Sequence, residues 1–146
     1  SISEDDVRSF IQSPNVLVGS DGNSVAPYGT TGQGKPHPRF YGTFARVLGH
    51  YVRELGLLPC HAAIHKMTGA TAAALGLVDR GLLHQGCFAD ITVFDPDTIA
   101  ERATYLDPHQ YATGISTVLV NGAVVLEDGE HTGALPGQMI RRTEAA

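Results

Sequence analysis

The chain has 146 residues, 42% of them hydrophobic and 17% charged, which suits one globular domain of ordinary size and argues against general disorder. A closed (β/α)₈ barrel is excluded for this chain alone, because that fold needs about 250 residues. Ten Lys and Arg against fifteen Asp and Glu leave a net charge of -5, and apolar runs extend only a few residues, so neither a nucleic-acid nor a membrane partner is expected.

The opening SISEDDVRSF is acidic and lacks the basic stretch and apolar core of a secretory signal. Ser3 is placed to cap a helix, with Asp6 in the capping-box position, and that helix is expected to run to about Gln12. Asn15 to Gly19 is a continuous apolar run between Pro14 and Gly19, the pattern of a buried parallel strand. Residues 19–42 gather Gly and Pro into a long irregular loop, a kind that is usually functional or disordered. Phe44, Val47, Leu48, Tyr51, Val52 and Leu55 then recur at helical spacing over 43–55, with Gly56 as the stop. Pro59 opens a helix whose apolar stripe is Cys60, Ala63, Ile64 and Met67, and Thr71 is placed to cap a third, Ala72–Leu75, ended by Gly76.

From Gly81 the pattern turns to β. Residues 89–94 read as a strand, and residues 98–104 as one helical turn. Strands 115–120 and 123–126 flank Asn121-Gly122, a pair that fits a type I′ hairpin turn. The polar tail from Arg141 is expected to fray. Residues 1–78 thus read as the end of an α/β unit and 79–146 as part of a small antiparallel sheet. Neither half is complete, so the chain reads as the C-terminal portion of a larger fold.

Asp21 follows the expected strand directly, in Gly19-Ser20-Asp21-Gly22. Active sites of α/β folds form at the carboxyl ends of strands, and a carboxylate there can bind a metal or take a proton from water. The plain alternative is an Asx turn that only stabilises the loop. In Lys35-Pro36-His37-Pro38-Arg39 the two prolines are expected to stiffen an extended segment, making Arg39 a carboxylate clamp with His37 orienting it or a ligand. The plain alternative there is a solvent-facing basic loop. His61 and His65 have the i, i+4 spacing of a zinc pair, but Ala62 stands where the HExxH motif needs glutamate, so they are not read as ligands. Ser20 lacks a GxSxG context. The two cysteines, Cys60 and Cys87, are read as packing and inert and form no CxxC motif, so a reduced, cytoplasmic protein is expected.

Longer blocks carry a resemblance. GSDG at 19–22, HPRFYGTFARVLGHYVRELGLL at 37–58, AIHKMTGATAAALGLVDRGLLHQG at 63–86, ADITVFDPDTI at 89–99 and GISTVLVNGAVVLEDGEHTGALPGQMIRR at 114–142 resemble the C-terminal part of the N-acyl-D-amino-acid deacylases of the amidohydrolase superfamily. The HPR and KMTG blocks are the specific ones; ADITVFD and VLVNG are shared across many amidohydrolases. The resemblance implies an α/β plus β fold: the last strand and helices of a (β/α)₈ barrel in residues 1–78, then the C-terminal part of a small β-sandwich in 79–146.

It also implies that Asp21 is the catalytic acid/base and approaches the metal, and that Arg39, beside His37, binds the substrate carboxylate. Zinc is the implied cofactor and a small N-acyl-D-amino acid the implied substrate. The family's HxH pair, bridging cysteine and later metal histidines are absent from these 146 residues. The missing N-terminal barrel portion is therefore the implied partner, in cis or in trans. The loop between Asp21 and His37 is longer and richer in Gly than the family's usual link. The isolated chain is expected to be inactive and to bind zinc weakly, and a tight, stoichiometric zinc titration would refute this. Two other readings compete: a dihydropyrimidinase- or dihydroorotase-like cyclic amidase, and a non-catalytic remnant or subunit that pairs with a separate barrel. The hydrolase reading further expects the Asp21 side chain to face a cavity mouth rather than open solvent.

Overall fold

A computed structural model describes residues 2–140; the expected fraying from Arg141 lies outside the described residues. Helix α1 spans Glu4–Gln12 and starts as expected. Ser3 Oγ accepts the Asp6 amide at 3.2 Å, and Asp6 Oδ2 accepts the Ser3 amide at 3.1 Å. The Ser3 hydroxyl, which donates to Asp6 Oδ2 at 2.8 Å, and then the Ser3 amide hold the Asp6 carboxyl below its ordinary range.

The expected strand at 15–19 does not form. Residues 16–20 lie outside every β ladder, and Leu17 is exposed. A strand exists only through its neighbours, and none of the four strands described pairs with this segment. Lys66 takes that place: its buried ammonium donates to the carbonyls of Ser13 and of Val16, the latter at 2.7 Å.

Helix α2 spans Arg39–Arg46, so it starts earlier than expected. Pro38, at φ -51 and ψ -27, is already helical, and Arg39 therefore stands in a first helical turn rather than on an extended segment. The helix continues as a wider π-helical stretch, Val47–Glu54, and Gly56 stops it at φ 59. Val47, Leu48 and Tyr51 are buried as their spacing predicts, while Phe44 stays exposed. Helix α3 spans Cys60–Met67. Helix α4 spans Gly69–Leu75 and ends at left-handed Gly76; it begins before Thr71, whose hydroxyl donates to the Lys66 carbonyl at 2.7 Å instead of capping.

Four antiparallel strands follow in the order β1 (Ile91–Phe94), β2 (Ile115–Val120), β3 (Ala123–Glu127) and β4 (Glu130–His131). Asn121 and Gly122 both have positive φ, 49 and 82, as a type I′ turn requires. Asp128-Gly129 repeats the device between β3 and β4. Residues 98–104 are not a helical turn. Asp95 instead anchors a turn, accepting from the Asp97 amide and the Thr98 hydroxyl, each at 2.9 Å, and Ala100 bridges Thr113.

Helices and sheet share one core. Ile99, 2% exposed, packs with Ala45, Val47, Leu48, Tyr51 and Ala63. Arg53 donates to the Ile99 carbonyl at 2.6 Å, and Arg46 pairs with Glu101. Burial works against the charge of Arg46, yet its bonds to Tyr51 and Glu101 more than offset this and raise its pKa. Arg80 ties the loop before β1 to the hairpin, pairing with Asp90 and donating to Asn121 Oδ1 at 2.9 Å. None of the helices described is long and apolar enough to cross a membrane.

Candidate active site

The GSDG turn sets the first group. Ser20 Oγ accepts the Gly22 amide at 3.2 Å, and Asp21 sits between them at φ 49. Asp tolerates this left-handed region better than most non-glycine residues, and a residue held there often marks a constrained site. The turn bond belongs to the Ser20 hydroxyl, so the Asx-turn reading of Asp21 is not what the fold uses.

The Asp21 carboxylate reaches Arg39 instead. Arg39 Nη2 lies 2.7 Å from Asp21 Oδ2, and Arg39 Nε donates to the Asp21 carbonyl at 3.1 Å. One guanidinium thus grips both the side chain and the backbone of the same residue. The Asp21 side chain is 84% exposed and that of Arg39 41%, so water screens the pair and its worth lies in geometry. The expectation that Asp21 faces a cavity mouth is not met: its carboxylate projects into solvent beside Arg39, with no wall of a cavity around it among the described residues.

His37 is brought to the same place. Its Nδ1 accepts the Arg39 amide at 3.1 Å, and its Nε2 lies 3.0 Å from the Tyr105 hydroxyl. The three residues singled out from the sequence therefore form one linked group. The long link between Asp21 and His37 does not prevent this, because it folds back through a short 3₁₀ turn at Thr30–Gly32.

Three further groups escaped the sequence reading. Tyr105 contacts His37, Lys35 Nζ donates to the Leu106 carbonyl at 3.1 Å, and His109 bridges Tyr41 and Gly34. The Gly34 carbonyl can only accept, so His109 Nε2 donates to it at 2.9 Å and Nδ1 accepts from the Tyr41 hydroxyl at 3.1 Å. Burial pushes the Tyr41 hydroxyl up, which keeps it a donor. These contacts join residues 68–75 positions apart, and no local pattern could announce them.

The residues present do not fit a complete zinc site. Asp21 is engaged by Arg39, and no cluster of three His, Cys, Asp or Glu side chains is placed to hold a metal among the described residues. His61 and His65 are exposed on α3. Cys60 and Cys87 are free thiols, and Cys60 packs against the core as expected.

Comparison with known proteins bears on this arrangement. A model of the amidohydrolase family matches residues 5–126. A D-aminoacylase of Alcaligenes xylosoxydans xylosoxydans is 47% identical over 142 residues, 97% of this chain and 28% of the relative. A crystal structure of D-aminoacylase matches with a TM-score of 0.83 at 47% identity, covering 91% of this chain and 27% of that one. An N-acyl-D-glutamate deacylase from Bordetella bronchiseptica, complexed with zinc and a phosphonate mimic of the tetrahedral intermediate, matches with a TM-score of 0.77 at 43% identity, over 89% of this chain and 27% of that one. The chain thus spans little more than a quarter of the length of the proteins it resembles.

Proposed function

The chain belongs to the amidohydrolase family, and from that premise we propose that it is the C-terminal portion of a zinc-dependent enzyme that hydrolyses the amide of N-acyl-D-amino acids. In this reading residues 1–78 close the barrel and 79–146 complete a small sandwich. The observation that supports it best is the meeting of Asp21 and Arg39 at 2.7 Å, in a chain 47% identical to a D-aminoacylase. Two side chains selected for different roles, one for proton transfer and one for carboxylate recognition, are held as neighbours.

Asp21 takes a proton from the attacking water as the amide carbon becomes tetrahedral, then gives it to the departing amine. Arg39 binds the α-carboxylate. Its Nε edge is occupied by Asp21, but a guanidinium offers five donors, and its Nη1 end can take a carboxylate without releasing Asp21. His37 holds the Arg39 backbone in place. We place the zinc ligands in sequence outside this chain, joined in cis or in trans, and the location in the cytoplasm.

The need for a missing portion has its own support. The chain exposes 9857 Å² of surface, against about 7,200 Å² for a compact monomer of its mass. Val78, Leu82, Leu83, Leu106 and Leu135 are each more than 60% exposed. Val78, Leu82 and Leu83 fall within six positions, and their exposure fits a face that the missing portion would cover.

Arg39 separates the deacylase reading from a dihydropyrimidinase-like cyclic amidase, whose ring substrate presents no free carboxylate. In an enzyme made by joining this chain to the remainder of the 47% identical D-aminoacylase, Arg39→Ala is expected to raise KM for N-acyl-D-amino acids by about 30-fold or more, the loss of a charge-assisted pair of hydrogen bonds. Steady-state kinetics against acyl amino acids and against cyclic amides checks this. An unchanged KM for the acyl amino acids would favour the cyclic amidase.

A further inference from the structure

We propose that Tyr105, acting through His37, is a positioning residue for Arg39. The inference rests on the reading of Arg39 as carboxylate clamp for its meaning in catalysis, but its geometry stands apart from that reading. Pro38 has no amide hydrogen, so the first amide that helix α2 can offer is that of Arg39. His37 Nδ1 accepts it at 3.1 Å. A nitrogen that accepts carries no proton, so in the neutral ring the hydrogen sits on Nε2. Nε2 in turn faces the Tyr105 hydroxyl at 3.0 Å, where it donates. The two rings also meet edge to face, with centroids 5.0 Å apart and planes at 79°.

The Arg39 amide, which can only donate, fixes the tautomer, and Tyr105 holds the rotation of the His37 ring that caps Arg39. The residues beside it are fastened to the same loop: Lys35 to the Leu106 carbonyl and His109 to the Gly34 carbonyl. A strap between β1 and β2 thus sets where α2 begins. Arg39, the first residue of that helix, is delivered to Asp21 as a result. Tyr105 touches neither Asp21 nor the Arg39 guanidinium in the contacts described, so it is a positioning residue and not a catalytic one.

The test starts with the 146-residue chain, where no substrate is needed. Nitrogen-15 NMR is expected to show His37 in the Nε2–H tautomer. Tyr105→Phe removes only a hydroxyl from a side chain 74% exposed, so the fold should persist. It is expected to speed hydrogen exchange of the Arg39 amide by about threefold to tenfold, the range of one neutral hydrogen bond. His37→Ala should exceed that effect. His37→Asn, whose carbonyl oxygen replaces Nδ1, should restore slow exchange and make a second Tyr105→Phe change silent. An Arg39 amide whose exchange is indifferent to Tyr105→Phe would overturn the proposal. In the joined enzyme the same variant should raise KM with kcat nearly unchanged. Failure of that arm alone, with the NMR effects present, would count against the clamp reading and leave the relay standing.

Discussion

Asp21→Asn, placed in the joined enzyme, is expected to lower kcat by about 10²- to 10⁴-fold, the usual worth of a positioned acid/base. KM should stay level. Asn tolerates the left-handed backbone at φ 49, so the turn survives the change. The bond from Arg39 Nε to the residue 21 carbonyl does not depend on the side chain, so the guanidinium stays near its place. What vanishes is the carboxylate that takes up a proton. A variant whose turnover stays within about threefold of the parent would remove Asp21 from the chemistry. A loss confined to KM would make it a binding group instead.

The largest effect on folding is expected of Gly114→Ala. Its φ of 81 disfavours any side chain, and a Cβ there would lie 2.5 Å from Ile99 N, 2.6 Å from Ile99 Cα and 2.7 Å from the Thr98 carbonyl carbon. All three are backbone atoms, and side-chain rotation cannot relieve the clash. Ile99 is also the residue that carries the sheet half into the helical core. Strained backbone and overpacking together should cost about 3 kcal/mol. That corresponds to a fall of about 10 °C in Tm for a chain of this length. Gly137→Ala is the control, since a Cβ there meets nothing within 4 Å. Thermal unfolding followed by circular dichroism should separate the two; equal melting of both variants would contradict the packing described.

What the sequence made legible was chemistry that acts over a few residues. The Ser3 and Asp6 cap and the Asn121-Gly122 turn are each set by neighbours within three positions, and each formed as expected. Asp128-Gly129 carries the same signal as Asn121-Gly122 and could have been read with it. Pro38 could equally have announced that α2 begins at Arg39, since its fixed φ suits a helix start as well as an extended segment.

The remaining differences come from distance. The apolar run at 15–19 has the composition of a strand, but pairing depends on partners that composition does not name, and Lys66 holds part of it instead. In the site, Asp21, His37 and Arg39 were legible as residue types in short motifs. Their joining into one group was not, because Arg39 reaches back 18 positions to Asp21, and the Tyr105 hydroxyl that steadies His37 lies 68 positions beyond it.

Asp21 as acid/base and Arg39 as clamp are the two contributions this chain would make to amide hydrolysis. The most direct measurement is the release of free D-amino acid from an N-acyl-D-amino acid by the joined enzyme loaded with zinc. Turnover of the D substrate is expected, lost with Asp21→Asn and weakened in KM with Arg39→Ala. A folded, zinc-loaded enzyme that releases no amino acid, or one whose turnover survives without the Asp21 carboxylate, would contradict this assignment.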